Sequence, residues 1–287
     1  MPIIFGLISY FTWGNGVFLE AIVARRLKTY SLVFWGFALS SIVLTFFAPF
    51  APGNLGNLTF GLLIFIIGIG IAGLLLGTII YYEALKIGNR AVVGTIASSF
   101  PAVVVLVSVL FLHEPVSVKQ LVAILIIFGG VTLSSLNLSE LRSKGIFLNR
   151  ATFLALVTMV TWGVWMALLK IPVSKVGWFW PNYITLMLFP LVFLYIKMRG
   201  FTLELPTKNR AFVPLVASTA LVRVAEFSYF FGISKGLVTI VAPIAGANPT
   251  LFIILAFLFF KDKITKQQVV GIVLTLAGIV LLSIFSV

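Results

Sequence analysis

The chain contains two copies of one sequence unit. The segment 228–283 matches the segment 80–135 without a gap, at a constant offset of 148 positions. The Thr-Trp-Gly at 12–14 also recurs at 161–163, at an offset of 149 positions, so one insertion or deletion separates the two matches. Identical pairs at the first offset include Pro101 with Pro249, Gln120 with Gln268, and Gly130 with Gly278. A fold for this chain must therefore accommodate the same unit twice.

The repeated unit consists of apolar runs that are too extensive for a water-soluble core. Soluble domains carry about 25% charged residues, whereas this chain of 287 residues has 9% charged and 61% hydrophobic residues. Each run is close to the ~20 residues that a helix needs to cross a bilayer. The sequence predicts ten spans, at 3–23, 30–50, 60–85, 91–112, 118–136, 150–170, 180–196, 211–233, 237–260 and 266–285.

Continuous apolar runs of this length predict helices, because the strands of a membrane barrel alternate in polarity over about ten residues. We therefore predict an all-α integral membrane protein with ten transmembrane helices. The first repeat covers residues 1–136, a polar linker covers 137–149, and the second repeat covers 150–287. Because each repeat has an odd number of spans, the second enters the membrane from the opposite side, which gives two inverted five-helix repeats.

The net charge of +13 comes mainly from basic residues in the gaps between the apolar runs. This distribution indicates membrane topology and argues against a nucleic-acid partner. We number each gap by the span that precedes it. The odd-numbered gaps hold 15 Lys and Arg residues and the even-numbered gaps hold 4, and this count leaves out Arg223, which lies within a span. The positive-inside rule then predicts that the odd-numbered gaps face the cytoplasm and that both termini lie outside.

Little in the sequence indicates metal, thiol or nucleotide chemistry. The chain has no cysteine and one histidine, His113, so we expect no metal site and no cofactor. Gly68, Gly70 and Gly73 match a dinucleotide-binding pattern, but they lie within an apolar run that lacks the strand this motif requires. No Walker-type motif is present, which argues against direct use of ATP.

Two helix starts also follow the repeat. Ser117 with Gln120, and Thr265 with Gln268, each place a hydroxyl residue three positions before a glutamine. This spacing predicts a capping box, in which the hydroxyl and the glutamine side chain satisfy free backbone N–H groups. The two boxes precede the fifth and the tenth predicted spans.

The duplicated pattern resembles the drug/metabolite transporter superfamily, specifically its ten-helix EamA-type members. Two departures are Ala21, where the second repeat has Lys170, and Asp262, where a glutamate is usual. The resemblance implies a central cavity lined by spans 1, 3, 4, 6, 8 and 9, and cytoplasmic termini, opposite to the charge count. The residues that carry it are Trp13-Gly14, Trp162-Gly163, Lys170, Pro101, Pro249, Glu114, Asp262, Gln120, Gly130, Gln268, Gly271 and Gly278.

Two charged residues, Arg223 and Glu226, lie in the middle of the eighth predicted span. Ionisable residues within spans are costly and usually face the bundle interior or water. Their spacing places them on one helix face, within reach of each other. One hypothesis is a transport site, in which Arg223 binds an anionic group and Glu226 binds a cationic group or a proton. The alternative is a structural ion pair that locks helices together.

Further residues are candidates for a transport pathway. Glu20, near the end of the first span, is either a second proton-coupling residue or an interfacial residue paired with Arg25 or Lys28. Pro101 and Pro249 interrupt their spans, as gating kinks or as static ones. The other substrate-binding candidates are aromatic or small polar residues, for each of which helix packing is the alternative: Trp13, Asn15, Tyr82, Ser98, Ser99, Trp162, Trp165, Tyr229 and Asn248.

Together these features predict a secondary transporter that moves a small organic metabolite by alternating access. The aromatic content favours an amino acid-like or aromatic, amphipathic solute. The expected partners are this solute and the lipid bilayer, and we expect a monomer or homodimer in the cell (cytoplasmic or inner) membrane. A non-transporting scaffold or sensor is the alternative. An intramembrane enzyme is a weaker one, because the sequence indicates no clustered nucleophile and base.

Overall fold

The computed structural model describes residues 1–88, 90–135, 150–207 and 210–286. Within these residues all regular structure is helical, and ten helices are long and apolar enough to cross a membrane. The predicted all-α fold is confirmed, whereas the predicted linker 137–149 lies outside the described residues. Spans 1 to 10 are, in order, Pro2–Ala24, Thr29–Phe50, Phe60–Ile87, Val92–Phe111, Val118–Ser135, Arg150–Val176, Trp180–Met198, Phe212–Lys235, Val238–Phe260 and Lys266–Ile284.

Spans 4 and 9 are divided in two at equivalent positions. Pro101 and Pro249 each occupy the second residue of the later segment. A proline lacks the N–H that a continuous helix would need there, so the helix stops and restarts. Spans 6 and 7 are also divided, and spans 3 and 9 contain π-helical turns. The segments are Arg90–Ser98 and Phe100–Phe111, Arg150–Leu168 and Lys170–Val176, Trp180–Leu186 and Phe189–Met198, Val238–Gly246 and Asn248–Leu255, with π-helical turns at Gly70–Leu75 and Ala256–Phe260.

The two repeats pack through equivalent pairs of spans. Span 1 lies against span 8, and its counterpart span 6 lies against span 3. Spans 5 and 10 cross where Gly130 faces Thr275 and Gly271 faces Ser134, and a Cβ atom on either glycine would overlap the facing backbone. Small residues at such crossings let helices approach closely in lipid, where dispersion contacts rather than the hydrophobic effect hold them together.

Both predicted capping boxes are present. The N–H of Ser117 donates to Gln120 Oε1 at 2.9 Å, and the N–H of Gln120 donates to Ser117 Oγ at 3.3 Å. Thr265 and Gln268 make the same two bonds, at 2.9 Å and 3.2 Å. Gln120 Nε2 also donates to the carbonyl of Phe285, so the first box joins span 5 to the end of span 10.

Side chains of opposite charge flank the turn between spans 8 and 9. The Lys170 ammonium donates to two carbonyls at the end of span 8. The Glu114 carboxylate accepts the N–H groups of Val238 and Thr239 at the start of span 9, both at 2.9 Å. Because a helix is positive at its N-terminus and negative at its C-terminus, both charges stabilise the ends that they contact.

Candidate functional site

Span 8 carries a buried ion pair near its middle. Arg223 Nη1 lies 2.6 Å from Glu226 Oε2, one helical turn away. Asn182 of span 7 donates its Nδ2 to the same carboxylate oxygen at 2.9 Å. Glu226 is 6% exposed and Asn182 is fully buried. The carboxylate is therefore held by one charged and one neutral donor, an arrangement that stabilises its ionised form.

Glu20 of span 1, in the first repeat, lines a cavity that Arg223 also lines. This cavity is small, about 80 Å³, and its walls include Thr78 and Tyr82. Among the described residues, the Glu20 carboxylate makes no hydrogen bond and no ion pair. Arg223 is the one cationic residue among the described residues that line this cavity.

Arg25 and Lys28, the basic residues that the sequence suggested as interfacial partners of Glu20, contact other residues. Lys28 Nζ lies 3.4 Å from a carboxylate oxygen of Glu204, in the loop after span 7. The Arg25 guanidinium lies over the ring of Phe260, at 4.2 Å from its centroid. Glu20 therefore faces into the helix bundle instead of joining these basic residues at the membrane surface.

We call Glu20, Asn182, Arg223 and Glu226 the charged cluster. Its members come from spans 1, 7 and 8, and thus from both repeats. The cluster has two carboxylates and one guanidinium, so with both carboxylates ionised its net charge is −1. A net charge at this depth in a bilayer is costly. Binding of a proton or of a cationic group would neutralise the cluster.

Aromatic residues form a symmetric contact between the repeats. The rings of Trp13 and Tyr229 lie 6.1 Å apart, centroid to centroid. Trp162 and Tyr81 lie 5.2 Å apart. Trp162 is the repeat counterpart of Trp13, and Tyr81 is the counterpart of Tyr229. The structure therefore places three sequence candidates in two equivalent contacts, together with Tyr81, which was not a candidate.

Several polar atoms of these aromatic side chains are buried without a hydrogen-bond partner in the described part of the chain. They are Trp162 Nε1, Trp165 Nε1 and Tyr229 Oη. Trp165 is itself buried, with its ring 6.5 Å from that of Phe230. Buried polar atoms without partners are costly in a folded protein, and further atoms of this kind lie in spans 4, 5, 7, 8 and 9 of the described residues.

The polar candidates of spans 1, 4 and 9 make hydrogen bonds within their own helices. Asn15 donates to the carbonyl of Phe11, one turn earlier in span 1. Ser98 and Ser99 both donate to the carbonyl of Thr95. Asn248 Nδ2 donates to the carbonyl of Ala245 in the same way. These four candidates satisfy backbone carbonyls of their own helices, and none lines either of the two cavities described here.

The breaks in spans 4 and 9 touch each other. Gly246, at the end of the first segment of span 9, packs directly on the ring of Pro101, and a Cβ atom at Gly246 would overlap that ring. Each break leaves the last carbonyls of one segment without helical partners, which Ser98, Ser99 and Asn248 partly satisfy. Both predicted helix interruptions are therefore present, in contact at the interface between the repeats.

The larger of the two cavities lies between spans 2 and 8. It has a volume of about 560 Å³, and its walls include Val43 and Phe47 of span 2, Arg223 and Phe227 of span 8, and Trp178. The resemblance implied a cavity lined by spans 1, 3, 4, 6, 8 and 9 instead. Aromatic side chains fill that central region, as the packing of Trp13, Trp165 and Tyr229 in one hydrophobic cluster shows.

A polar group that we call the Glu83 cluster bridges the two repeats near one end of their interface: Tyr30, Glu83, Lys86 and Tyr195. The hydroxyls of Tyr30 and Tyr195 both donate to Glu83 Oε1, the second at 3.1 Å. Lys86 Nζ lies 3.3 Å from the same oxygen. These residues join the ends of spans 2, 3 and 7 beside the odd-numbered gaps. The cluster therefore ties the first repeat to the second at the basic face.

Asn182 and Tyr81 are the residues of the site that sequence reasoning missed. Tyr81 had a signal, because it stands at the repeat position of the candidate Tyr229. Asn182 had a weaker one, as an uncharged amide within an apolar span. No group of three His, Cys, Asp or Glu side chains that could hold a metal ion occurs in the part of the chain that the structure describes.

Comparison with known proteins agrees with this architecture. The model of the EamA-like transporter family matches residues 1–136 and 149–284, which are the two repeats. The chain belongs to the EamA-like transporter family. The resemblance drawn from the duplicated motifs is thereby confirmed. This EamA-like chain is a multi-pass membrane protein of a transporter family.

Two relatives of the EamA-like chain add to this comparison. An uncharacterised protein of Methanocaldococcus jannaschii is 28% identical over 137 residues, which are 48% of this chain and 98% of that protein. That relative therefore has about the extent of one repeat. A solved crystal structure matches with a TM-score of 0.80 at 16% sequence identity, over 99% of this chain and 96% of the other, so the two share a fold.

Proposed function

We propose that this EamA-like protein is a secondary transporter, which moves a small organic metabolite across the cell membrane by alternating access of its two repeats. The observation that carries this proposal is that Arg223, which forms an ion pair with Glu226 of the second repeat, lines one cavity together with Glu20 of the first. Motion of one repeat against the other would change the distance between Glu20 and Arg223. The charged cluster would then bind its ligands differently in the two states.

An amino acid-like or other amphipathic solute suits this site. The Arg223 guanidinium can bind a carboxylate, and Glu20 can bind an ammonium group, so a zwitterion would be complementary to the cluster. The unpartnered donors of Trp165 and Tyr229 offer further hydrogen bonds. Trp13 and Trp162 present aromatic surface to an apolar or cationic part of the solute.

Glu20 is the better of the two candidates for proton coupling. Glu226 receives hydrogen bonds from both Arg223 and Asn182, which favour its ionised form. Glu20 has no such donor among the described residues and lines a cavity large enough for water. A proton on Glu20 would neutralise the cluster, and an incoming cationic group would displace that proton.

The breaks in spans 4 and 9 would serve as hinges in this cycle. Pro101 and Pro249 leave each helix without a continuous hydrogen-bond ladder, so its two segments can tilt separately. The Glu83 cluster would hold the basic face closed in one state and would have to separate in the other.

Transport by the purified protein in liposomes tests this proposal. Solutes that co-purify with the protein, and a panel of labelled amino acids and aromatic amphiphiles, are assayed in both directions, with and without a pH gradient. We expect flux of at least one solute, and its loss in the Arg223→Gln/Glu226→Gln double variant, which keeps the net charge of the pair. A folded protein that moves none of these solutes would favour the scaffold or sensor alternative.

A further inference from the structure

The cavity between spans 2 and 8 is a groove along one face of span 8. Its lining on that helix recurs at intervals of three and four residues from Val216 to Phe231, a length of roughly 22 Å. The facing wall is the second half of span 2, from Leu39 to Phe47, and Trp178 lies in the loop before span 7. Its volume of about 560 Å³ is that of a typical ligand site.

This lateral groove opens towards the hydrocarbon of the bilayer. Val43 of span 2 is 64% exposed and Val224 of span 8 is 49% exposed. Both line the groove and lie near the middle of their spans, Thr29–Phe50 and Phe212–Lys235. At that depth an exposed apolar side chain contacts lipid, so the opening faces acyl chains and not water.

Arg223 joins the lateral groove to the charged cluster. It lines the groove and also lines the small polar cavity that contains Glu20. Its Nη1 is engaged by Glu226, whereas its Nε has no hydrogen-bond partner among the described residues. A guanidinium offers five N–H donors, so Arg223 can bind a second acceptor while it keeps Glu226. An arginine at a lipid-facing opening is costly unless something there accepts its hydrogen bonds.

We propose that the lateral groove is a portal through which an amphipathic carboxylate passes between the bilayer and the charged cluster. The carboxylate binds the Nε–H of Arg223, which has no partner among the described residues. The apolar body lies against Phe47, Trp178 and Phe227, whose rings line the groove. This proposal depends on the proposed transport function in one respect only, namely that the bound amphiphile is a transported substrate. The binding itself needs no turnover and can be measured separately.

The direction in which the groove opens is tested with a fluorescent label. Because the chain has no cysteine, Val224→Cys introduces a single site for a bimane maleimide. Val213→Cys is the matched control, since Val213 lies on the same helix, is 75% exposed and does not line the groove. We expect brominated acyl chains to quench both labels and iodide in the buffer to leave the mid-span Val224 label unquenched, whereas the Val213 label, at the second residue of the span, shows how far iodide reaches at the membrane surface. Quenching of the Val224 label by iodide would show a groove open to water and would overturn the portal.

Occupancy is tested in the same liposomes with undecanoate as the probe. Undecanoate should relieve the quenching by brominated lipid at position 224 in a saturable manner and should leave position 213 unchanged. Undecyltrimethylammonium, with the same chain and a cationic head, should not compete. The Arg223→Gln/Glu226→Gln double variant should bind undecanoate about tenfold more weakly, as expected for the loss of a charge-assisted hydrogen bond.

Each result decides between the two proposals. If undecanoate fails to protect position 224, or protects the double variant equally well, the portal is wrong, whatever the transport assays show. If undecanoate binds as expected but no solute is transported, the result supports an amphiphile site in the groove and contradicts the proposed transport function.

Discussion

Trp13 of span 1 packs against Tyr229 of span 8, with 6.1 Å between the ring centroids. Trp162 and Tyr81 repeat this contact with the roles of the two repeats exchanged. Two equivalent contacts suit a transporter with inverted repeats, because its inward-open state can resemble its outward-open state with the two repeats interchanged. The charged cluster breaks that symmetry, since Arg223 stands at the repeat position of Leu75. Symmetric residues would therefore support the motion, and asymmetric ones would select the solute.

Loss of the Tyr30 hydroxyl should open the basic face. Tyr30→Phe removes a hydrogen bond to the charged Glu83, worth about 1.5–3 kcal/mol, and so should shift the closed-to-open equilibrium roughly tenfold or more. A Thr78→Cys substitution places a thiol in the small cavity as a reporter. Its rate of reaction with a membrane-impermeant maleimide added at the basic face should rise correspondingly.

Tyr183→Phe is the control for this measurement. The Tyr183 hydroxyl contacts Thr45 at 3.2 Å near the other end of span 7, away from the Glu83 cluster. The Tyr183→Phe substitution should leave the rate of the reaction between the introduced thiol and the maleimide unchanged. Equal rates in the Tyr30 and Tyr183 variants would show that the Glu83 cluster does not hold this face closed.

A methyl group at Gly246 should destabilise the protein. Gly246→Ala forces a Cβ atom into the Pro101 ring, and overpacking of this kind costs about 1–3 kcal/mol. The apparent melting temperature in detergent should fall. Gly68→Ala is the control, because no atom lies within 4 Å of its added Cβ, and alanine is the better helix former. If both variants melt with the wild type, the breaks in spans 4 and 9 do not pack as described.

Glu114→Gln should weaken the junction of spans 8 and 9. The two carboxylate oxygens of Glu114 accept the N–H groups of Val238 and Thr239. Glutamine has no charge and only one acceptor oxygen, so one of these buried N–H groups loses its partner. The expected loss in unfolding free energy is about 1–3 kcal/mol. Glu204→Gln makes the same chemical change in a half-exposed ion pair with Lys28, where the loss should stay below about 1 kcal/mol. Denaturant or thermal unfolding of the two variants compares them directly, and equal losses would contradict the capping role.

The sequence predicted correctly those features that depend on residues close together in the chain. Hydroxyl and glutamine three residues apart predicted both capping boxes, and Pro101 and Pro249 predicted the breaks in spans 4 and 9. The repeat and the apolar runs predicted the ten spans, because lipid forces the backbone into helices.

The neighbours of side chains from distant spans could not be predicted in this way. Glu20 lies close to Arg25 along the chain, yet it faces Arg223 because spans 1 and 8 pack together. Asn182 joins Glu226 only because span 7 begins beside span 8. Such contacts depend on how the helices are arranged around one another, which periodicity within one helix does not determine.

Glu20 has the central role in the proposed transport cycle, and transport of the co-purified solute into liposomes tests that role most directly. Glu20→Gln removes the site that would carry the proton but leaves Arg223 paired with Glu226, and Glu204→Gln serves as the control. We predict that the Glu20 variant still exchanges solute across the membrane, with a lower affinity because the solute's ammonium group loses its carboxylate partner, but no longer accumulates solute when a pH gradient is applied, while the control does both. Accumulation by Glu20→Gln to the wild-type level would contradict the assignment of Glu20 as the coupling residue.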